Sequence, residues 1–442
     1  MRKPGDLPGP LGKSSRFRRS WRWRRFWQPI AILLAELLPR LFDLILALVL
    51  LFLLAPFMAI RAVLARWRTG QVIMVSDRVG RLRSPFKLLS FADNALGRRL
   101  PVLFNIFAGN MAFAGPRPLT PEEARALRPE DSIRFCIRPG LFSPHTVRHK
   151  TGIAYDDEGE LDREFYYGES TRGNAGLVAR GTISSLLAGG GLREMPEQFS
   201  LLGVRIINTT MSEAIDWIIH RCRGTTSNLA AFVNPDCLNV AYKNSVYHDV
   251  LTNAACVWPD GIGINVGCRM LGLSLRENVN GTDMFPRLCE RAARENISLY
   301  LLGARPDIAR LAAENMRFKF PELRIAGYRD GYFSQEDEAQ VIHDINQSGA
   351  DVLLVAFGAP KQEVWLAGRQ HELKPRVLIG VGGLFDFYSG RIPRAPVWMR
   401  EIGLEWTWRL MQEPGRMWRR YVIGNPLFLF RVYRQKLAEH SA

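Results

Sequence analysis

Apolar and polar positions alternate in blocks over the second half of the chain. Short apolar runs at Ala230–Val233, Ala255–Trp258, Ser298–Leu302, Asp351–Phe357 and Arg376–Val381 end in Gly, Pro, Asn or Asp. Runs of that length with such boundaries predict buried strands. Between them, apolar residues recur at helical spacing over Asp307–Phe318, Glu336–Gln347 and Gln362–Glu372, predicting amphipathic helices. A βαβα rhythm predicts an α/β fold, a Rossmann-like parallel sheet with helices on both faces. Ligands of such sheets sit at the carboxyl ends of the strands. Asn234, Asp236 and Asp260 follow the first two runs and are expected to share one crevice. The plainer use of the same residues is local: Asp260 capping the helix begun at Gly261, and Asn234 shaping a turn.

The first half reads differently. Leu44–Ile60 is an apolar run broken only by Pro56, with Arg40 before it and Arg61, Arg66 and Arg68 after it. Its length is at the lower limit for crossing a bilayer. Positive charge on both flanks suits a helix that enters and leaves one leaflet with a break at Pro56, the alternative being a single span. Upstream, Met1–Gln28 ends in RFRRSWRWRRFWQ. Arginines interleaved with tryptophans beside an apolar segment anchor a chain to anionic lipid more simply than they grip nucleic acid. No signal-type cleavage site follows, so the segment is expected to be retained. The stretch AGGGLREMPE reads as a flexible joint.

Charge narrows the partner. The 442 residues carry 59 Lys+Arg against 43 Asp+Glu, a net +16, which favours an anionic partner and, by length, two domains. Six cysteines without CxxC spacing read as reduced thiols, not as a zinc site.

The ordered motifs NPDCLN, PDGIG, NGTD, LLGA (Leu301–Ala304), FGAPKQE (Phe357–Glu363), GVGGLFDFYSG and GLEWTWRLMQEPGRMWRRY resemble those of the WecG/TagA/CpsF family of glycosyltransferases from about Leu202 to Tyr421. The resemblance implies transfer of a sugar from a UDP-sugar to a lipid-linked saccharide. Inverting transfer needs a base for the attacking hydroxyl and positive charge for the departing diphosphate. Asp260 is the expected base. Asn234, Asp236, Gly303, Lys361 and Gln362 are expected to bind substrate, Gln362 by touching the nucleotide sugar, although a plain helix-start glutamine is its simpler use. No Asp-x-Asp occurs after Gln198, so no metal or cofactor is expected. The charge is assigned instead to Arg409, Arg416 and Arg419, which match the family's basic tail positions, with Arg420 adjacent. The resemblance also implies that this aromatic tail closes over the site at the membrane; a basic surface helix with packed tryptophans is the alternative. Many family members carry an Arg where this chain has Asn278, which puts donor choice and diphosphate binding at issue. Arg276, two residues earlier, is the candidate substitute, although a two-residue shift on an ordered loop usually points a side chain elsewhere.

From Leu41 to Gly140, LFDLILALVLLFLLAP, DRVGRLRSPF, LPVLFNIFAGNMAFAGPRPL and RPG resemble the bacterial sugar transferases, monotopic phosphoglycosyl transferases. That family's nucleophilic Asp and metal-holding Glu precede the Leu-Pro of the third motif, where this chain has Arg98 and Arg99. Guanidinium is no nucleophile and repels a divalent ion, so this activity is expected to be lost. Further departures are Ser90, Phe91 and Ala92 for a Lys-Phe-Arg, and Asn110 for an Asp. The acidic patch Tyr155–Asp162 reads as a solvated turn. The expected organisation is a basic segment (1–40), a membrane-embedded helix (41–68), a small mixed α/β domain (69–187), a linker (188–198), the glycosyltransferase domain (199–395) and a helical appendage (396–442). The expected partners are a UDP-sugar, a polyprenyl-diphosphate-linked sugar, membrane lipid and an active phosphoglycosyl transferase, with no nucleic acid, on the cytosolic face of a bacterial inner membrane. A bifunctional enzyme and a non-catalytic scaffold are the rival readings.

Overall fold

A computed structural model describes residues 15–93, 95, 97–151, 158–168, 171–188 and 195–441, with side chains over 37–93, 95, 97–148, 158–168, 173–184 and 195–439. The aromatic and basic side chains upstream of Gln28, residues 155–157 of the acidic patch and residues 189–194 of the glycine joint lie outside the described residues. The chain divides into two compact units, 1–145 with 157–179, and 146–156 with 180–442.

In the first unit, α1 (Ser15–Thr69) runs without interruption through Pro56. The expected break is absent, because a proline removes only one backbone donor and a long apolar helix tolerates that. One stripe of α1 is packed: Asp43, Ala47, Arg61 and Ala65 are buried. The polar members of the stripe have partners, Asp43 accepting from the Phe113 amide at 3.1 Å and Arg61 pairing with Asp93 at 2.5 Å through a terminal nitrogen, its buried Nε making no hydrogen bond among the described residues. Across the helix, Leu48, Phe52, Leu53 and Ile60 are 58–80% exposed. The antiparallel hairpin β1 (Ile73–Val79) and β2 (Pro85–Phe91) follows. Next come α2 (Val102–Phe107), β3 (Ala112–Ala114), α3 (Pro121–Arg125) and β4 (Gly140–Phe142), with β3 and β4 parallel. The helices α4 (Pro144–Thr151), α5 (Glu158–Tyr167) and α6 (Thr171–Ala188) complete this stretch.

The acidic patch is not a solvated turn where it is described. Glu158 and Asp162 lie on α5, and Asp162 is fully buried. Arg134 reaches both, at 3.0 Å and 3.2 Å. Burial pushes the Asp162 carboxyl up to about 7, against the pull of Arg134. A local composition of acids and glycine did not reveal the arginine, 24 residues upstream of Glu158, that draws them inward.

The second unit begins with the hairpin β5 (Gln198–Leu201) and β6 (Val204–Ile207), then α7 (Met211–Cys222). The main sheet is built from β7 (Asn228–Val233), β8 (Cys256–Pro259), β9 (Ser298–Gly303), β10 (Arg324–Arg329), β11 (Val352–Ala356) and β12 (Val377–Gly380). Its order is β10-β9-β11-β12-β7-β8, and every pair is parallel. Strands β7, β8, β9, β11 and β12 are almost wholly buried, as their unbroken apolar runs require. Between strands lie α8 (Pro235–Ala241), α9 (Ser245–Asn253), α10 (Ile262–Met270), α11 (Gly281–Arg294), α12 (Ile308–Lys319), α13 (Glu338–Gln347) and α14 (Lys361–Arg369). Two apolar clusters flank the sheet, one centred on Trp258, Phe285 and Phe385, the other on Tyr247, Ile264 and Phe428. The remainder is helical: α15 (Leu384–Tyr388), α16 (Val397–Glu401), α17 (Glu405–Gln412), α18 (Pro414–Trp418), a π-helical turn at Arg419–Ile423, and α19 (Gly424–Ser441).

Candidate active site

Parallel strands bring the ends of β7 and β8 side by side, paired up to Val233 and Pro259. The ladder is extended by one bond, the Asp260 amide donating to the Val233 carbonyl at 2.8 Å. Asn234 and Asp260 are thus delivered together. Asn234 caps α8, its side-chain oxygen accepting from the Asp236 and Cys237 amides at 3.1 Å each. With that oxygen committed to the helix, the side-chain amide is what Asn234 offers Asp260, whose pKa it helps to lower. The helix-cap use and the site use of Asn234 coexist. Asp260 does not cap α10; the N-cap position falls on Gly261, at φ +89°, a left-handed conformation that favours glycine.

A cavity of about 360 Å³ opens over these residues. Asn234, Asp236, Asp260, Asn278, Arg409 and Arg420 line it, with Ile262, Leu404, Trp406 and Tyr421 forming apolar walls. Burial pushes the Asp260 carboxyl up to about 6; Arg420 and Arg409 pull against this, and Glu405 adds to it. Arg420 itself is desolvated, yet Tyr421, Asp236 and Asp260 outweigh that and raise its pKa. Its Nε lies 3.4 Å from an Asp236 oxygen.

Asn278 stands where the resemblance implies an arginine in many relatives. Its side-chain oxygen accepts from the Gly261 amide at 2.7 Å, so it fixes the loop that carries Asp260. Arg276 does not replace the missing cation, because both its terminal nitrogens bind Glu213 at 2.7–2.8 Å beside the N-cap of α7. The NGTD motif closes another side. Asn280 caps α11 and donates to Asp283 at 2.8 Å, and Asp283 pairs with Arg394 at 2.6 Å.

A second cavity, of about 650 Å³, lies at the ends of β9, β11 and β12. Tyr332, Phe333 and Phe357 supply its aromatic wall, and Arg305, Lys361 and Arg416 its cations. Lys361 sits 5.4 Å from the centre of the Phe357 ring. The two cavities meet at α15, which gives Asp386 to the second and Phe387 to the first. Here Arg409 lies over the Phe387 ring, 4.9 Å from its centre. A Cβ placed on Gly383 would come 3.0 Å from an Arg409 terminal nitrogen.

Three expected ligand residues lie elsewhere. Gln362 is 4% exposed. Its side-chain oxygen accepts from the Gly358 and Gly382 amides at 3.0 Å each, and its nitrogen donates to buried Glu363 at 2.7 Å. It therefore ties together the two loops that rim the second cavity. Burial pushes the Glu363 carboxyl up to about 7, with the bond from Gln362 opposing. Gly303 lines neither cavity; a Cβ there would lie 2.7 Å from the Ala356 carbonyl, so the sheet itself demands glycine. Arg419 is exposed, its guanidinium 5.4 Å from the centre of the Trp418 ring, and its neighbour Arg420 faces the cavity instead. Residue types alone did not disclose Asn280 and Asp283 as lining the first cavity or Arg394 as the partner of Asp283, although the NGTD string marked their neighbourhood.

Comparison with known proteins bears on both units. The model of the Glycosyl transferase WecG/TagA/CpsF family matches residues 199–442, and that of the Bacterial sugar transferase family matches 34–94 and 98–187. An N-acetylglucosaminyldiphosphoundecaprenol N-acetyl-beta-D-mannosaminyltransferase of Bacillus subtilis (strain 168) is 32% identical over 231 residues, 52% of this chain and 89% of the relative. The protein of the same description from Bacillus spizizenii is 33% identical over 214 residues, 48% of this chain and 82% of the relative.

Proposed function

Since the chain belongs to the WecG/TagA/CpsF glycosyltransferase family through residues 199–442, we propose that it moves a hexose or N-acetylhexosamine, of the N-acetylmannosamine or glucose type, from a UDP-sugar to a polyprenyl-diphosphate-linked saccharide, with inversion. The observation that carries the reading is Asp260, raised to about 6 in a cavity it shares with Arg409 and Arg420. A carboxylate of that pKa is ionised at neutral pH and a stronger base than a free aspartate. The second cavity takes the nucleotide, its aromatic wall against the base and its cations toward the phosphates. The first takes the acceptor saccharide.

In the step, the acceptor hydroxyl attacks the anomeric carbon as its proton passes to a carboxylate oxygen of Asp260. The bond from the anomeric carbon to the diphosphate breaks, and its electron pair leaves on UDP. Arg409, between the cavities, and Arg416 bind the departing diphosphate, guanidinium offering a planar fork to phosphate oxygens. Asn234 orients Asp260 through its amide, and Gln362 acts by holding the cavity rim. The front unit serves as a membrane anchor whose phosphoglycosyl transfer has been lost with the Arg98–Arg99 replacement. Its apolar helix keeps the enzyme beside lipid-linked acceptor made by a separate active enzyme, which raises local acceptor concentration. A UDP-sugar donor places the reaction on the cytosolic face of the bacterial inner membrane, in surface polysaccharide assembly.

The test is UDP release by the full chain in lipid nanodiscs, across UDP-sugars and polyprenyl-diphosphate-linked acceptors, beside Asp260→Asn. Turnover with one pair, reduced about 10²- to 10⁴-fold in the variant, is expected. Equal turnover by both proteins would remove Asp260 as base.

A further inference from the structure

Arg98 and Arg99 sit on the turn between β2 and α2, and the turn is tied at both ends. The Arg98 carbonyl accepts from the Phe91 amide at 2.9 Å, and the Arg99 carbonyl from the Val102 amide at 3.0 Å. Gly97, at φ +84°, brings the turn onto α1 so closely that an added Cβ would lie 3.1 Å from Phe57. The apolar side chains that meet it are open, Phe57 and Met74 being 38–41% exposed, and α2 carries exposed Phe104 and Phe107 onward from the turn. An Arg98 terminal nitrogen lies 3.9 Å from the Met74 sulfur.

Arg99 is exposed and makes no ion pair among the described residues. Partial desolvation and the charge of Arg98 both lower its pKa, so an added anion relieves a repulsion already present. Asp93, five residues before Arg98, is committed to Arg61 at 2.5 Å and Arg68 at 3.6 Å. Two adjacent cations at the rim of an exposed apolar surface match a bilayer, which offers acyl chains and phosphate within a few ångströms of depth. A soluble acidic partner supplies the charge but leaves the phenylalanines in water.

We propose that the Arg98–Arg99 turn binds the phosphate headgroups of anionic membrane lipid, so that the position where the resembling family keeps its nucleophile and metal ligand serves here as a lipid clamp. The inference rests on the membrane association in the function proposed above and adds headgroup selectivity at a defined place. The full chain is to be reconstituted in nanodiscs of equal phosphatidylglycerol and phosphatidylcholine, and the lipids it retains counted by native mass spectrometry. At ~1 kcal/mol per arginine near the surface, the pair should raise the retention of phosphatidylglycerol over phosphatidylcholine by roughly thirtyfold. Arg98→Gln/Arg99→Gln should lower that ratio by about the same factor, to the level that the basic segment upstream supports, while Arg223→Gln/Arg294→Gln, with the same loss of charge, should leave it at the wild-type value. Arg98→Lys/Arg99→Lys keeps the charge and should keep most of the enrichment, which guards against a Gln variant that fails to fold. No enrichment by wild type, full enrichment by the folded Gln variant, or none by the folded Lys variant would overturn the clamp. A wild type that enters no nanodisc would overturn the membrane association itself, a different failure from association without selectivity.

Discussion

Asp260 couples the chemistry to pH with a definite sign. The base must be ionised, and burial has moved its pKa up to about 6. The rate should therefore be level above pH 7 and decline as pH falls through about 6, tenfold per unit below it; a rate profile with saturating acceptor measures this. A decline centred near 4 would mean that the carboxylate is solvated during turnover. Gln362 makes a different prediction. Replacing it by alanine strands the Gly358 and Gly382 amides and the Glu363 carboxyl together, a loss of about 2–4 kcal/mol. Denaturant unfolding of Gln362→Ala should register that loss, and the KM for the UDP-sugar should rise as the cavity rim loosens. At this scale the expectation that Asp260 and Asn234 share one crevice was legible, because a strand end leaves few choices of direction. It did not reveal that Gln362 turns inward, since a glutamine beside a buried glutamate and two glycine amides is defined by bonds that only the folded chain brings together.

Among elements, the appendage holds the sharpest contrast. Arg419 and Arg420 are neighbours on a π-helical turn, yet only Arg420 lines the first cavity. Arg409→Ala and Arg420→Ala should each lower kcat/KM by about 10- to 10³-fold, the range for removing one group that stabilises developing charge, and Arg419→Ala by less than about threefold. Steady-state kinetics on the three variants decides it; equal losses would mean that the turn rearranges when substrate binds. The buried strands were legible because unbroken apolar runs bounded by turn residues admit few other readings. The edge strand β10, RIAGYR, was not: it pairs only with β9, is half open to solvent, and mixes two arginines and a glycine into its pattern. The hairpin β5–β6 escaped for a similar reason, its strands being four residues each. The unbroken α1 shows the converse, a helix breaker overruled by its apolar surroundings.

For the whole molecule, the two units make separate chemical statements. Phosphoglycosyl transfer would release UMP from a UDP-sugar, whereas glycosyl transfer releases UDP. With polyprenyl phosphate and a UDP-sugar supplied together, the full chain should form no UMP above background if Arg98 and Arg99 stand, as the resemblance implies, where that reaction needs an acid pair. Product chromatography reads both nucleotides at once, and UMP formation would restore the bifunctional reading. The presence of two units was legible from length and the change of pattern along the chain, but their division falls at 145–157 and 179–180, ahead of the glycine-rich joint at 188–198.

The seam at Gly383 has a consequence for inhibition. Because a glycine and the guanidinium end of Arg409 lie where the two cavities meet, the divide between them includes a cation. A single compound with an aromatic head in one cavity, a saccharide in the other and a dianionic bridge between them meets that cation at its middle. Joining the halves makes the second binding event intramolecular, so such a bisubstrate ligand should bind far more tightly than either fragment, and a neutral bridge of the same length should forfeit much of the gain.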